Sequence, residues 1–599
     1  MPEHRVPARL EHRFALSLSA HAESARCWAI TGAGVPFMKL TRRRFVLAVI
    51  FTVAALAAAA VLPALAPAQA PPAAATRASQ VFAPVPTLDW RPCGKGLEAF
   101  LCATAVVPTD YDDPSGSKTR LALTKLPASG APGQRLGTLF TNPGGPGGSG
   151  VDFVQQNAAL IYAPELLARY DVLGFDPRGV ARSDPATCFR TQEQEQELAS
   201  PLLQMIYPLP GPQEARFTAD ALRLAVRCQT TSPRRFSSAS TANVARDMDL
   251  LRQAVRDERL TYAGYSYGTY LGATYARLFP DRVGRFVLDG PLDPIAYSGT
   301  GTGDAAPTTP LGIRGRQGIG ASETFGEFAR LCREGGPQHC SLAAAGDPAV
   351  VVPATFDRLA REPVEIPLPD GTTLMVTQQV AVAITFRDLY LPAAWPELAD
   401  FLAAVAAAVP SPARVAATVA ATRSPLGARL RGEDYPSIGG AYASLCVDTA
   451  PSRRVREYPA LIDAADAQAP YFARYRAWNV LPCEFWRLRD RDAFHGPWQQ
   501  QTRAPVLVIA TRFDPATPYR RAQPYADLFP ASRLLTLDGW GHTAIANSAC
   551  VDAAIANYLV AGDAPQDGAV CAPDTVPFTA QAGARAVKRP DAPPGLPPW

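Results

Sequence analysis

The chain of 599 residues has few histidines and few charged side chains. It contains six histidines, and only His339, His495 and His542 lie beyond residue 37. Charged residues make up 19% of the chain, below the usual value of about a quarter, and the formal net charge is +4. The body of the chain contains no run of lysine and arginine. The sequence therefore argues against a nucleic acid as partner.

Two common patterns for metal and phosphate binding are also missing. No C-x-x-C pair occurs, which argues against a structural zinc site or a redox dithiol. A segment rich in glycine and proline, TNPGGPGGSG (141–150), lacks the lysine and hydroxyl residue of a phosphate-binding loop. We therefore expect neither a metal nor a cofactor.

The cysteines point to an oxidising compartment. There are eleven, and ten of them lie beyond residue 37, an even number that is typical of disulfides in an exported protein. The alternative is ten buried free thiols. Pairing between sequence neighbours is the simplest prediction, and it gives the bridges Cys93–Cys102, Cys188–Cys228, Cys332–Cys340, Cys446–Cys483 and Cys550–Cys571.

The N-terminus carries an export pattern. Arg42, Arg43 and Arg44 precede the apolar run FVLAVIFTVAALAAAAVLPALA (45–66), and small-residue cleavage sites follow. Paired arginines before such a run suggest the twin-arginine route, and hence a secreted, extracellular or periplasmic protein. The alternative is a retained membrane anchor, and contact with a membrane is expected only in that case. Met38 directly precedes the pattern, so residues 1–37 are interpreted as a possible upstream mis-start.

From about residue 100, strand-like and helix-like patterns alternate along the chain. Apolar spacing over 237–255 predicts a helix. After residue 294 the alternation stops for about two hundred residues, and it resumes at 504–515 and 532–542. Such alternation favours an α/β fold, a mainly parallel sheet flanked by helices, with a large, mostly helical lid inserted after the sixth core strand. The first six strand candidates are 103–107, 119–126, 136–141, 170–175, 259–264 and 284–290.

These features divide the chain into seven segments. They are the possible mis-start (1–37), the signal peptide (38–70), an Ala/Pro-rich spacer (71–89), the first part of the core (90–294), the inserted lid (295–500), the C-terminal part of the core (501–578) and a proline-rich tail (579–599).

One short stretch suggests a catalytic nucleophile. LTYAGYSYGTYLG (260–272) places Ser266 between a strand-like run and a segment that can be helical. A serine on a sharp strand-to-helix turn exposes its oxygen as a nucleophile, and the flanking glycines give the turn room. G-x-S-x-G alone is only a hypothesis, because the rest of the chain must supply a base, an acid and donors for an oxyanion.

The remaining members can be sought by position. His542 follows the last strand candidate in Gly539-Trp540-Gly541-His542, which favours it as the base over His339 and His495. Asp514 ends the preceding strand candidate and suits the acid, in the chain order serine, acid, histidine. Asp289, which follows the segment after Ser266 that can be helical, is the rival acid. The N–H of Tyr267 and the glycine-rich segment 141–150 are expected to form the oxyanion hole.

Several blocks of sequence carry a family resemblance, and they are NPGGPGGSG (142–150), YDVLGFDPRGVARSDPATC (170–188), YAGYSYGTYLGATYARLFPDRVGRFVLDGPLDP (262–294), ATRFDPATP (510–518) and GWGH (539–542). With them, residues 90–578 resemble the secreted tripeptidyl aminopeptidases of the α/β-hydrolase superfamily. These are related to the prolyl aminopeptidases, whose H-G-G-P-G loop has Pro143 here in place of the histidine.

The resemblance implies a serine peptidase that removes short pieces, such as tripeptides, from peptides with a free N-terminus. It implies that Ser266 is the nucleophile, Asp514 the acid, His542 the base, and Gly145 with Tyr267 the oxyanion donors.

A free amino terminus calls for a carboxylate in the pocket. Asp448 and Glu484 stand beside Cys446 and Cys483 in the predicted lid, and Asp448 is favoured as the amine anchor. The alternative function is a secreted carboxylesterase or lipase, which would share the whole triad. A non-catalytic binding protein on this fold would be expected to have lost a triad member, and none is lost.

Overall fold

The computed structural model describes residues 83–191, 193–195, 205–367, 373–407 and 439–580. The predicted mis-start and signal peptide, most of the spacer and nearly all of the proline-rich tail lie outside the described residues. In the part of the chain that is described, no helix is both long and apolar enough to cross a membrane.

Twelve strands lie within the described ranges. They are β1 (Arg91–Pro92), β2 (Leu101–Pro108), β3 (Lys118–Leu126), β4 (Gly137–Asn142), β5 (Tyr170–Phe175), β6 (Leu260–Tyr265), β7 (Val283–Asp289), β8 (Val364–Pro367), β9 (Thr373–Val376), β10 (Val506–Phe513), β11 (Arg533–Trp540) and β12 (Ala569–Cys571).

The α-helices are numbered in the same way. They are α1 (Gly150–Ile161), α2 (Pro164–Arg169), α3 (Pro212–Thr231), α4 (Pro233–Ser237), α5 (Thr241–Ala254), α6 (Tyr267–Leu278), α7 (Pro294–Ser298), α8 (Leu311–Arg314), α9 (Gln317–His339), α10 (Pro348–Leu359), α11 (Gln378–Asp388), α12 (Trp395–Ala406), α13 (Gly439–Asp448), α14 (Tyr458–Asp466), α15 (Phe472–Asn479), α16 (Ala522–Ala526) and α17 (Ala549–Ala561). Short 3-10 turns connect several of them.

Ten of the strands form one sheet in the order β1-β2-β3-β5-β4-β6-β7-β10-β11-β12. The pairs from β5 to β12 are parallel, and the pairs that join β1, β2, β3 and β5 are antiparallel. The prediction of a mainly parallel sheet is confirmed. Because parallel strands end at the same edge, the carboxyl ends of β4, β6, β7, β10 and β11 are brought together there.

The central strands are buried on both faces, as parallel strands covered by helices require. In β10, Leu507 and Ile509 belong to the apolar cluster that includes α1 and α17. Their neighbours Val506 and Val508 belong to a second cluster that includes α5 and α6. Successive side chains of a strand point to opposite faces, so helices pack on both sides of the sheet.

The eight strand predictions correspond to β2–β7, β10 and β11, and the helix predicted over 237–255 corresponds to α5. The short strands β1 and β12 at the two edges of the sheet were not predicted, since two or three residues carry no readable periodicity. The two-stranded sheet of β8 and β9 was also missed.

The chain leaves the sheet after β7 and returns with β10, and in between it is mainly helical. Phe328, Trp395 and Trp478 of this segment are buried in an apolar cluster that also includes Phe217 of α3 and Trp540 of β11. The mostly helical insertion expected from the sequence is therefore present. We call the described part of residues 290–505 the insertion.

Five disulfides are formed, and each joins the two cysteines that the sequence paired. Cys446–Cys483 connects α13 to the turn after α15, inside the insertion. Cys550–Cys571 connects the start of α17 to β12. Each bridge closes a short loop and restricts the unfolded chain.

Candidate active site

Ser266 stands at the turn between β6 and α6. Its backbone has φ 56° and ψ −122°, in the left-handed range that a residue with a side chain rarely adopts. The turn is held on one side because the Ser266 N–H donates to the Asp289 carbonyl at the end of β7, at 2.9 Å. Strain of this kind persists where the surrounding structure enforces it, and here it presents the serine at the strand ends.

The elbow is packed so closely that glycine is required beside it. A Cβ at Gly268 would lie 2.7 Å from the carbonyl oxygen of Asn142. A Cβ at Gly144 would lie 2.4 Å from the Tyr265 carbonyl oxygen and 2.9 Å from Cβ of Ser266. The glycine-rich loop after β4 therefore lies directly against the serine turn.

The two predicted oxyanion donors lie at this junction. Tyr267 is the first residue of α6, where backbone N–H groups have no partner within the helix. Gly145 lines the same cleft as Ser266. A hydrogen bond within the glycine-rich loop fixes its first turn: the Gly144 N–H donates to Oδ1 of Asn142 at 2.9 Å.

Asp514 and His542 are in direct contact. Nδ1 of His542 lies 2.9 Å and 3.0 Å from the two carboxylate oxygens of Asp514. Asp514 follows β10 and His542 follows β11, and both side chains are buried. Nε2 of His542 is buried and has no hydrogen-bond partner among the described residues. A ring held at Nδ1 with Nε2 available can accept a proton from a serine hydroxyl.

Further donors fix the Asp514 carboxylate. Oδ1 accepts the N–H groups of Ala516 and Thr517, both at 2.8 Å, and Oδ2 accepts the Thr517 hydroxyl at 2.8 Å. These contacts hold the carboxylate toward His542.

The insertion contributes to the placement of His542. The His542 N–H donates to the Tyr390 carbonyl at 2.9 Å, and the two rings meet edge to face with centroids 4.8 Å apart. Sequence reasoning missed Tyr390, because it lies more than 150 residues before His542 and belongs to no motif.

Asp289, the rival acid, makes different contacts. Its carboxylate accepts the N–H groups of Ala544 and Ile545 at 2.9–3.0 Å rather than the imidazole. Burial raises its pKa to about 7. The next residue, Gly290, lies against the imidazole, since a Cβ there would be 3.4 Å from Cε1 of His542. Ser266 and His542 are thus both anchored at the end of β7.

A cleft opens beside Ser266 between the sheet edge and the insertion. Pro146 lines it from the core, and Leu292, Tyr442, Leu445 and Arg476 line it from the insertion. Most of the lining is apolar. Its polar side chains include those of Arg476, Asn479, Arg521 and Asp293.

The structure does not place the two predicted amine anchors in this cleft. Asp448 is fully buried, and its oxygens accept the Thr241 N–H at 3.1 Å and the Thr241 hydroxyl at 2.5 Å. Burial raises its pKa to about 8. Glu484 accepts the Ser452 hydroxyl at 2.9 Å and the Arg453 N–H at 3.1 Å. The disulfide ties their segments together, but each acid is engaged with its own local donors.

The other two histidines lie apart from this site. His339 is exposed at the end of α9, and His495 lies in the irregular segment before β10. Burial, and then the charge of Arg489, lowers the pKa of His495. Neither lines the cleft beside Ser266.

A parallel sheet with a strained serine elbow after one strand, and an acid and a histidine after two later ones, defines an α/β-hydrolase. Family models agree: residues 137–309 match the alpha/beta hydrolase fold, and residues 469–571 match the TAP-like proteins.

Curated relatives cover most of the chain. Serine protease Hip1 of Mycobacterium tuberculosis is 31% identical over 565 residues, which span 89% of this chain and 100% of the relative. Tripeptidyl aminopeptidase of Streptomyces lividans is 28% identical over 82% of this chain and 87% of its own length. Carboxylesterase B of Mycobacterium tuberculosis is 31% identical over 82% of this chain and 91% of its own length. The chain belongs to the TAP-like family of α/β-hydrolases.

Proposed function

We propose that this protein is an exported serine exopeptidase that releases short peptides, tripeptides in particular, from substrates with a free N-terminus. Relatives named as a serine protease and as a tripeptidyl aminopeptidase support a peptide substrate. The predicted disulfides support export, because disulfides persist in oxidising compartments.

One observation carries the catalytic proposal. Asp514 holds His542 through Nδ1, and Nε2 has no partner in the described ranges, at the strand end where Ser266 is anchored. His542 takes the proton of the Ser266 hydroxyl while Oγ attacks the substrate carbonyl. It then protonates the leaving amine. Water releases the acyl-enzyme by the same proton transfers in the second half of the reaction.

The oxyanion of each tetrahedral intermediate is assigned to the N–H groups of Gly145 and Tyr267. The contact of the 142–150 loop with the serine turn supports this assignment. Donors preset on a rigid backbone act where charge develops, and each contributes about 3 kcal/mol to the transition state.

Recognition of the free amine is assigned to an acidic side chain. Asp293 is the carboxylate that lines the cleft beside Ser266, and its Oδ2 lies 3.1 Å from Arg521. We therefore favour Asp293 over Asp448 and Glu484. The comparison is direct: Asp293→Asn, Asp448→Asn and Glu484→Gln are each assayed on a tripeptide amide with a free or an acetylated N-terminus. The variant that loses the preference for the free amine identifies the anchor.

The lid predicted over residues 295–500, most of which is the insertion, is proposed to limit substrate length. Arg476 and Tyr442 from this segment line the same cleft as Ser266, which supports the assignment. A cleft that is closed at a fixed distance from the scissile bond would admit only a fixed number of residues between the N-terminus and that bond.

The main test is cleavage of fluorogenic di-, tri- and tetrapeptide amides with free and acetylated N-termini. We expect the free tripeptide to be cleaved fastest, and Ser266→Ala to lower kcat by roughly 10⁴-fold or more. Ser238→Ala, a change at a serine outside the cleft, serves as the control. Equal cleavage of acetylated and free substrates would contradict the exopeptidase proposal.

A carboxylesterase is the second candidate, favoured by the apolar lining of the cleft and by the relative named Carboxylesterase B. Comparing kcat/KM for a p-nitrophenyl ester and for the free tripeptide amide separates the two. An esterase would hydrolyse the ester and leave the tripeptide amide uncleaved.

A further inference from the structure

Arg476 is a buried cation that has no anionic partner among the residues the structure describes. Arg476 lies on α15, is 6% exposed and lines the cleft beside Ser266. Nε donates to Oε1 of Gln317 at 2.9 Å, whereas Nη1 is buried with no hydrogen-bond partner in the described part of the chain. No ion pair with a described carboxylate forms at this guanidinium.

The surroundings of Arg476 compensate its charge only in part. The guanidinium carbon lies 5.0 Å from the ring centre of Phe386 and 5.9 Å from that of Tyr475. Cation–π contacts offset only a small part of the cost of burying an unpaired charge. Such a charge is retained where something else supplies the counter-charge.

A neighbouring arginine shows what a structural role looks like in the same helix. Arg474 is equally buried, and it forms ion pairs with two carboxylates, those of Glu214 and Asp463. Arg476, two residues further on, points to a different side of the helix and has no such pair. The contrast identifies Arg476 as the arginine that is left open toward the cleft.

A second unpaired donor lies one turn further along α15. Asn479 is 6% exposed and lines the same cleft, and its Nδ2 has no partner among the described residues. Residues three apart share one face of a helix, so the two donors are neighbours. A carboxylate has two oxygens, and it can accept from a guanidinium and an amide at once.

We propose that Arg476 and Asn479 bind a carboxylate of the substrate in the cleft beside Ser266, and that they give the enzyme a preference for anionic peptides. The carboxylate comes either from an acidic side chain or from the C-terminus of a short peptide. The inference rests on the proposed function in one respect, namely that this cleft holds the peptide.

Binding is measured on Ser266→Ala by calorimetry, so that turnover plays no part. The probes are Ala-Glu-Ala amide against Ala-Gln-Ala amide, and Ala-Ala-Ala acid against its amide. We expect the anionic member of one pair to bind about 10- to 100-fold more tightly. The first pair reports a side-chain carboxylate and the second a chain terminus. Equal binding within both pairs overturns the proposal.

Variants assign the effect to the two donors. Arg476→Met in the Ser266→Ala background should abolish the discrimination, and Asn479→Asp should reverse it by placing a negative charge in the site. Arg333→Gln, at an exposed arginine paired with Asp347, should leave it unchanged. Discrimination that survives in Arg476→Met overturns the assignment.

Stability separates a binding role from a structural one. Removing an unpaired buried cation should leave the melting temperature of Arg476→Met unchanged or higher. A melting temperature lowered as in Arg474→Met would mark Arg476 as structural and overturn the proposal. If anionic peptides bind to Ser266→Ala but wild-type protein cleaves no peptide, the carboxylate site stands and the peptidase proposal fails.

Discussion

The backbone carbonyl oxygen of Asp289 accepts the N–H of Ser266 at 2.9 Å. The carboxylate of Asp289 meanwhile accepts the N–H groups of Ala544 and Ile545, which follow His542 closely in the chain. One residue at the end of β7 therefore holds the serine turn through its main chain and the histidine loop through its side chain. Its role is to position the two parts of the site relative to each other.

Replacing Asp289 should disturb the site without removing its chemistry. Asp289→Ala leaves two buried N–H groups without an acceptor, and each costs about 1–3 kcal/mol. We expect a clear loss of stability in urea unfolding and a kcat lowered by about 10- to 100-fold. Asp289→Asn keeps one carbonyl acceptor and should lose less. A kcat loss in Asp289→Asn as large as that of Asp514→Asn would instead make Asp289 the catalytic acid.

Asp514→Asn should remove most of the activity while the fold persists. An asparagine can donate to Nδ1 and so favours the wrong tautomer of His542, which lowers kcat by roughly 10⁴-fold in a triad of this kind. The measurement is tripeptide-amide turnover, with circular dichroism to check the fold. Asp538→Asn, at an exposed aspartate paired with Arg512, is the matched control and should retain full activity.

Asp448 should make stability depend on pH. Burial raises its pKa in the folded protein to about 8, while an unfolded aspartate has a pKa of about 4. Between these values the folded state keeps a proton that the unfolded state has released. The free energy of unfolding therefore falls as pH rises through this window, by on the order of 1 kcal/mol per pH unit.

Asp448→Asn removes the carboxyl group that titrates. The free energy of unfolding, measured in urea, should therefore fall less steeply between pH 5 and pH 8 than in wild type. The difference between the two proteins cancels the contribution of Asp289, whose pKa is also raised. Parallel pH profiles for the two proteins would mean that Asp448 is ionised throughout this range.

The disulfides should differ in what they contribute. Cys446–Cys483 spans 37 residues of sequence and both cysteines are buried, whereas Cys93–Cys102 spans nine. The chain-entropy model gives the longer loop an advantage of about 1 kcal/mol. The double variant Cys446→Ser/Cys483→Ser should therefore unfold at lower urea concentration than Cys93→Ser/Cys102→Ser. The reverse order would show that loop length does not determine how much stability each disulfide adds.

Much of this molecule could be predicted from its sequence. Strands such as β5 and β10 are short apolar runs bounded by turn residues, and their pattern is local. The glycines around Ser266 predict a tight turn, because a Cβ at these positions would clash with neighbouring backbone. The cysteine pairs are near neighbours in sequence, so the simplest pairing was also the one formed.

The site residues that the sequence left open depend on contacts between distant parts of the chain. Asp514 and Asp289 both end strands at the same sheet edge, and only the path of the loop after β11 puts Nδ1 of His542 on Asp514. The sequence favours Asp448 as the amine anchor, but α13 packs it against Thr241, at the start of α5.

Local patterns in the sequence define the elements of the sheet, the disulfide pairs and the order of serine, acid and histidine along the chain. These follow from local periodicity, turn sterics and residue spacing. Three features depend on the tertiary structure. They are the acid that contacts His542, the set of carboxylates that are buried, and the position of Arg476 in the lining of the cleft. Those outcomes depend on how the insertion packs over the sheet edge, and burial and charge pairing between distant residues leave no trace in a local pattern.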